Sequence, residues 1–230
     1  MKDKITKKQK DFYKENKRAL IAQYLSVRPA HIDPDAVRDL FAPIGYDRSN
    51  VQQFQGICKV LVKDIYHEAL KSNAGKLRKV IFAAGLPATG KTGHLLKFAK
   101  GELIYDGTIN DENKFLEFVR AAILLGYAVE VFVYSANPQR AFTSNLKRGD
   151  DTGRYVPISH YEKVARTINN RAAFLKAYFK SRVKFRNFEH TKFEARPAPF
   201  LPLIINRHEL ERIAKQHQFP DSQRLQDILK

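Results

Sequence analysis

Apolar positions in this 230-residue chain change their period several times, and each change marks an element. Between Lys4 and Tyr24 the residues Phe12, Leu20, Ile21 and Tyr24 stand among polar neighbours at helical spacing, which predicts an amphipathic accessory helix ended by "SVRPAH". In "HIDPDAVRDLF", Asp33 or Asp35 can cap a short helix with Pro34 in its first turn. Val51 to Lys71 predicts a longer amphipathic helix, and "SNAGK" turns the chain. The pattern then switches. Val80-Ile81-Phe82-Ala83-Ala84 is an unbroken apolar run, as expected of a strand buried on both faces of a parallel sheet, and helical spacing resumes from Thr92 to Lys100. "ELIYDGT" predicts a second strand with Asp106 at its carboxyl end, Asp111 to Leu125 a helix stopped by Gly126, and "YAVEVFVYS" a third strand rich in β-branched and aromatic residues. Asn137-Pro138 opens a helix running toward Lys147. "KRGDDTGRYVP" predicts a polar loop, Ser159 caps a helix from His160 to about Phe179, and "SRVKFRNFEH" is a late strand. A proline-rich connection, "ARPAPFLPL", leads to two short helices between Asn206 and Lys230.

Strands alternating with helices predict an α/β fold, and the Gly85–Thr92 segment, which fits G-x-x-x-x-G-K-[ST] between a strand and a helix, makes it one of the P-loop NTPase type, a three-layer sandwich around a mostly parallel sheet with accessory helices. The expected division is an accessory helix over 1–30, a core over 31–200 and a helical tail packed on that core over 201–230. The basic start "MKDKITKKQK" lacks the apolar segment of a secretory signal, and the longest apolar stretch, Ala121 to Tyr134, is too short to cross a bilayer. One cysteine, Cys58, excludes an intrachain disulfide and a cysteine-based zinc cluster. These features predict a cytoplasmic protein. A formal net charge of +17 suits anionic, phosphorylated partners and leaves nucleic acid open as one of them, although the basic residues are spread along the chain.

The chemistry lies where the buried strand meets the following helix. Gly85-Leu86-Pro87-Ala88-Thr89-Gly90-Lys91-Thr92 fits G-x-x-x-x-G-K-[ST], a glycine-hinged loop that turns backbone N–H groups around phosphate oxygens at a helix N-terminus. Lys91 would reach the β- and γ-phosphates of a nucleotide, and the Thr92 hydroxyl would join the oxygen shell of Mg²⁺. GTPase elements such as N-K-x-D and D-x-x-G do not stand at suitable strand ends. A small ATP-dependent phosphotransferase fits better, and it needs a carboxylate for the acceptor hydroxyl, a carboxylate or hydroxyl near Mg²⁺, and arginines for the transferring charge.

"IDPDAVRDLF", "YHEAL", "GLPATGKT", "YDGTINDENKFLEFVRAAILLGYAVEVFVY" and "TGRYVPISHYEKVART" together resemble the zeta-toxin kinases, relatives of polynucleotide kinases. The resemblance spans Ile32 to about Thr167. It departs from the usual order in one respect, because the I-D-x-D-x-x-R element precedes the phosphate loop instead of following it. The resemblance implies Asp35 as the acceptor-side base and Arg38 as a substrate contact, with Asp106 and Thr108 of D-G-T near the acceptor and the metal. Which of Asp35 and Asp106 takes the proton stays open. Arg154, with Arg148 and Arg140 before it, resembles the lid arginines that clamp phosphates, so the segment 148–157 is expected to be a mobile lid. The implied acceptor is a nucleotide sugar such as UDP-N-acetylglucosamine, and the implied protein partner is an antitoxin. A polynucleotide 5′-hydroxyl as acceptor, or a regulatory ATPase with no acceptor, are the alternatives.

Overall fold

The computed structural model describes residues 4–98, 101–107, 112–190, 195–199 and 202–230. Before the phosphate loop come α1 (Lys7–Val27), the two-residue strand β1 (His31–Ile32), α2 (Pro34–Asp39), a 3-10 turn (Ala42–Ile44) and α3 (Val51–Ser72). The loop itself joins β2 (Lys79–Gly85) to α4 (Lys91–Phe98). Then follow β3 (Leu103–Asp106), α5 (Glu112–Leu124), β4 (Ala128–Ser135), α6 (Pro138–Thr152) and α7 (Ile158–Phe179). The chain finishes with β5 (Val183–His190), β6 (Ala195–Pro197), α8 (Arg207–Gln216) and α9 (Ser222–Leu229).

The six strands lie in the order β1-β3-β2-β4-β5-β6 and all neighbours are parallel except β5 and β6. β2, carrying the loop, is therefore interior, and its apolar run is explained by burial on both faces. Val80, Phe82 and Ala84 join the larger core with Leu61 and Ile65 of α3, Phe118 of α5 and Ile168 of α7. Ile81 and Ala83 point the other way, into a smaller cluster with Leu95 of α4, Phe132, Tyr134 and Phe188. The expected three layers are present, and they are unequal.

β1 is too short to show any periodicity, and nothing in the sequence marks it as a strand. It docks on the outer edge of β3 in the register His31↔Ile104 and Ile32↔Tyr105. An element that comes first in the chain thereby reaches the same sheet end as the phosphate loop. The accessory helix secures it: the Tyr24 hydroxyl donates to the His31 carbonyl at 3.0 Å and accepts from the Asp33 N–H at 2.7 Å. Leu20 and Tyr24 of α1, Leu210 and Ala214 of α8 and Ile228 of α9 are all buried in the larger core.

Three expectations need correction. α6 does not stop near Lys147 but runs to Thr152, so Arg148 sits on a helix and not in a lid loop. Asn145 explains much of this, since its buried side chain bonds both the N–H and the carbonyl of Val156 and draws the following segment against α6. α7 begins at Ile158 with Pro157 at the cap, two residues ahead of the expected Ser159 cap. Part of the proline-rich connection pairs with β5 as β6, its one proline, Pro197, tolerated because the strand is an edge. Among the described residues, no helix is long and apolar enough to cross a membrane.

Candidate active site

The loop between β2 and α4 takes its shape from two left-handed residues, Ala88 (φ 58°) and Gly90 (φ 76°). Alternating right- and left-handed backbone aims successive N–H groups into one concavity, an anion-binding nest. Glycine adopts that conformation without penalty, whereas Ala88 does so at a cost of about 1–2 kcal/mol. Side-chain bonds hold the loop from behind. The Thr89 hydroxyl donates to the Leu86 carbonyl at 3.1 Å, and the Tyr161 hydroxyl of α7 lies 3.1 Å from the Pro87 carbonyl and 3.2 Å from that of Ala141. Gly85 is required by packing, because a Cβ there would stand 3.0 Å from the Tyr134 Cβ and 3.1 Å from its carbonyl oxygen.

Asp106 ends β3 beside this loop and is buried. The Thr92 hydroxyl donates to its Oδ2, and the Lys91 Nζ is 4.0 Å from its Oδ1. Burial would raise the Asp106 pKa, but His31, Lys91 and Thr92 outweigh it and hold the carboxyl below its ordinary range. Asp106 Oδ1 is buried without a hydrogen-bond partner. An orphaned carboxylate oxygen next to a threonine hydroxyl is the kind of oxygen donor set that Mg²⁺ takes alongside phosphates and water, so Thr92 and Asp106 fit the ion. Thr108 lies outside the described residues.

The sequence left Asp33 and Asp35 competing for the same role, and the geometry separates them. Asp33 caps α2, accepting the Asp35 N–H at 2.8 Å. Asp35, freed from capping, pairs with two guanidiniums, those of Arg38 and Arg154. Burial pushes the Asp35 carboxyl up, and Arg154 and Arg38 more than reverse it, to about 2. Arg38 is buried behind this pair and spends its other arm on Gln55 Oε1 at 2.7 Å. Its position is that of a strut for Asp35.

Around Asp35 opens a cleft of about 220 Å³ lined by Arg28, Asp33, Asp39, Tyr46, Arg48, Arg148, Thr152 and Arg154. Arg148 and Arg48 come from α6 and the turn before α3 and converge with Arg154. The crowding is electrostatically visible: burial first, then the charges of Arg154 and Arg48, hold the Arg148 pKa below its ordinary value. Such a cluster favours an anionic guest. Arg140 is exposed on the first turn of α6 and does not line the cleft. The cleft and the loop are neighbours, since the β1–β3 register sets Asp33 level with Asp106, and burial, then the Asp35 and Asp106 charges, raise the Asp33 pKa.

Sequence reasoning missed Arg28, His31, Tyr46 and Arg48. His31 is buried on β1 with its Nε2 3.9 Å from Asp106 Oδ2, and its Nδ1 lies 3.4 Å from Arg28 Nη1. Arg28 can only donate, so Nδ1 accepts and Nε2 carries hydrogen toward the carboxylate. No local motif announces these four residues; the edge docking of β1 brings Arg28 and His31 here, and the turn before α3 supplies Tyr46 and Arg48.

A family model described as zeta toxin matches residues 94–193. That span includes Asp106, Thr108, Arg148 and Arg154 and begins two residues beyond Thr92. No curated protein sequence matches the chain. Among solved structures, a chain from the PezAT chromosomal toxin-antitoxin system of Streptococcus pneumoniae is similar at 11% identity and a TM-score of 0.47, over 84% of this chain and 80% of that one. Residues 94–193, less than half of the chain, are thus similar to the zeta-toxin family, and the phosphate loop at the carboxyl end of the parallel sheet lies just ahead of that span.

Proposed function

We propose that this protein is an ATP-dependent kinase that moves a γ-phosphoryl group onto a hydroxyl of a small molecule bearing its own phosphates, with a nucleotide sugar such as UDP-N-acetylglucosamine as the best candidate. One observation supports this most: a phosphate-binding loop and an arginine-lined cleft with a carboxylate at its floor open side by side at the same sheet end. The donor's phosphates sit in the nest of Gly85–Thr92 and against Lys91. Arg48 and Arg148 hold the acceptor's phosphates, and Asp35 faces its hydroxyl.

Thr92 and Asp106 would hold Mg²⁺, which would supply positive charge against the nucleotide's phosphates. The chain's own residues do the rest. While Arg154 sits on Asp35, that carboxylate is a poor base, because two cations stabilise its charged form. ATP offers Arg154 a stronger, bidentate anionic partner in the γ-phosphoryl oxygens. Transfer of Arg154 from Asp35 to the nucleotide then serves both reactants: it clamps the phosphoryl group and leaves Asp35 with Arg38 alone, a better proton acceptor. Asp35 takes the hydroxyl proton as the acceptor oxygen bonds to the γ-phosphorus and the bond to the β–γ bridging oxygen breaks, releasing ADP. Lys91 and Arg154 stabilise the charge on the equatorial oxygens. Activity of this kind in a cytoplasmic toxin would call for restraint by an antitoxin protein.

The net charge of +17 favours a second reading, with a polynucleotide 5′-hydroxyl as acceptor. One experiment separates the two. The protein is incubated with γ-labelled ATP, Mg²⁺ and a cell metabolite extract or, separately, a 5′-hydroxyl oligonucleotide at two salt concentrations. A labelled nucleotide sugar is expected. A labelled oligonucleotide formed in a salt-sensitive manner supports the second reading, and bound ATP with no labelled product from either source overturns both.

A further inference from the structure

Arg154 sits between two neighbours that are each fastened. Val156 is held by both bonds from Asn145, and Tyr155 is held by the C-terminal part of the chain. The Tyr155 ring lies so close over α6 that a Cβ at Gly149 would fall 2.2 Å from its Cδ1. Its hydroxyl donates to Asp150 Oδ1 at 2.8 Å. Above it stands the turn between α8 and α9: the Phe219 ring packs edge-on against Tyr155 at 5.4 Å, and His217 packs on Phe219 at 4.7 Å. The His217 Nε2 lies 2.9 Å from the same Asp150 oxygen, which accepts both bonds. That turn has its own footing. Arg207 ties α8 to Glu162 of α7 at 3.1 Å and to the Leu229 carbonyl of α9 at 2.7 Å, while Leu210, Ala214 and Ile228 are buried.

We infer that the 217–219 turn is a positioning clasp for Arg154: it fixes the backbone after α6 through Tyr155, so that the guanidinium moves between Asp35 and the nucleotide by side-chain rotation alone. The reason is mechanical. α6 ends in a left-handed Gly153 (φ 70°) whose N–H bonds the Gly149 carbonyl at 2.7 Å, and rotation just beyond that cap would swing Arg154 out of the cleft if Tyr155 were not held. The residues expected from sequence to form a mobile lid are in this view clamped by an element more than sixty residues further on. Phe219 and His217 act through Tyr155 and touch no reactant. This deepens the kinase reading and rests on it only for the role of Arg154.

The test uses Phe219→Ala in the full chain, with two readouts. Amide hydrogen exchange at residues 153–156 should accelerate about tenfold or more while exchange in β2 and β4 stays as in wild type. Unchanged exchange at 153–156, or acceleration across the whole sheet, overturns the clasp whatever the enzyme does. Turnover of ATP is then measured in a double-mutant cycle with Arg154→Ala. Phe219→Ala alone should lower kcat about tenfold with little change in KM for ATP, and should have no further effect once Arg154 is absent. Equal losses in both backgrounds contradict action through Arg154. Wild-type turnover in Arg154→Ala removes the phosphate clamp from the kinase reading, and the exchange result still decides the clasp. Tyr155→Phe, which keeps the ring on Phe219 but loses the Asp150 bond, should fall between wild type and Phe219→Ala in both readouts.

Discussion

Arg154→Ala has a stability signature that can be worked out from its pairing with Asp35. Arg154 and Arg38 bring the carboxyl to about 2 against a usual 3.8, which corresponds to a preference of about 2 kcal/mol for the charged form in the folded state. Not all of that belongs to Arg154. Arg38 carries a share, and the Asp35 side chain is 48% exposed, so solvent screens the pair; the loss on removing Arg154 is expected to be about 1 kcal/mol. The sign follows from linkage. A carboxyl whose folded pKa is depressed contributes stability that is complete above its unfolded pKa and disappears as pH falls through its folded value. The gap between wild type and Arg154→Ala should therefore stand at about 1 kcal/mol at pH 6, shrink from about pH 4 downward, and close near pH 2. Urea unfolding followed by far-ultraviolet circular dichroism at pH 6, 4, 3 and 2.5 measures it for both proteins, and titration of the other carboxylates common to both cancels in the difference. A gap that stays constant with pH would mean that Arg154 contributes packing and not charge, and no gap at pH 6 would mean the pair is not formed in solution.

Two further outcomes follow from the same geometry. Tyr161→Phe removes the hydroxyl that links α7 to the Pro87 and Ala141 carbonyls, so it should cost about 1 kcal/mol in denaturant unfolding and raise KM for ATP as the loop loosens. Arg154→Lys keeps the charge but loses the planar fork, and steady-state kinetics should show part of the wild-type kcat recovered relative to Arg154→Ala, with KM for ATP little changed.

What the sequence made legible was local. The phosphate loop needs eight consecutive residues with a strand before and a helix after, and all of that information is contiguous. Asp106 was legible for the same reason, standing at the end of an apolar run one element later. Asp35 was visible as a letter but not as a role, because Asp33 and Asp35 both suit an N-cap, and the choice between them depends on two arginines, one of them 119 residues away. Arg148 was assigned to a loop because "KRGDDTG" is polar and contains glycine. Gly149 nonetheless lies inside α6, where the absence of a side chain admits the Tyr155 ring. Here a tertiary contact overrides local propensity. Arg28, His31 and Arg48 belong to no motif at all. Arg28 and His31 reach the site because a two-residue strand pairs with β3, an interaction between segments about seventy residues apart that no window of periodicity can register.

Phosphoryl transfer at the loop is the central step of the proposed reaction. Wild type and Lys91→Ala are each incubated with γ-labelled ATP, Mg²⁺ and purified UDP-N-acetylglucosamine, with circular dichroism confirming that both are folded. The Lys91 side chain reaches toward Asp106, and the variant should keep its fold and lose transfer by about 10²-fold or more, while wild type yields labelled nucleotide sugar. Equal labelling by both proteins would place the chemistry elsewhere, and no labelled sugar from a folded wild-type protein would contradict the proposed acceptor.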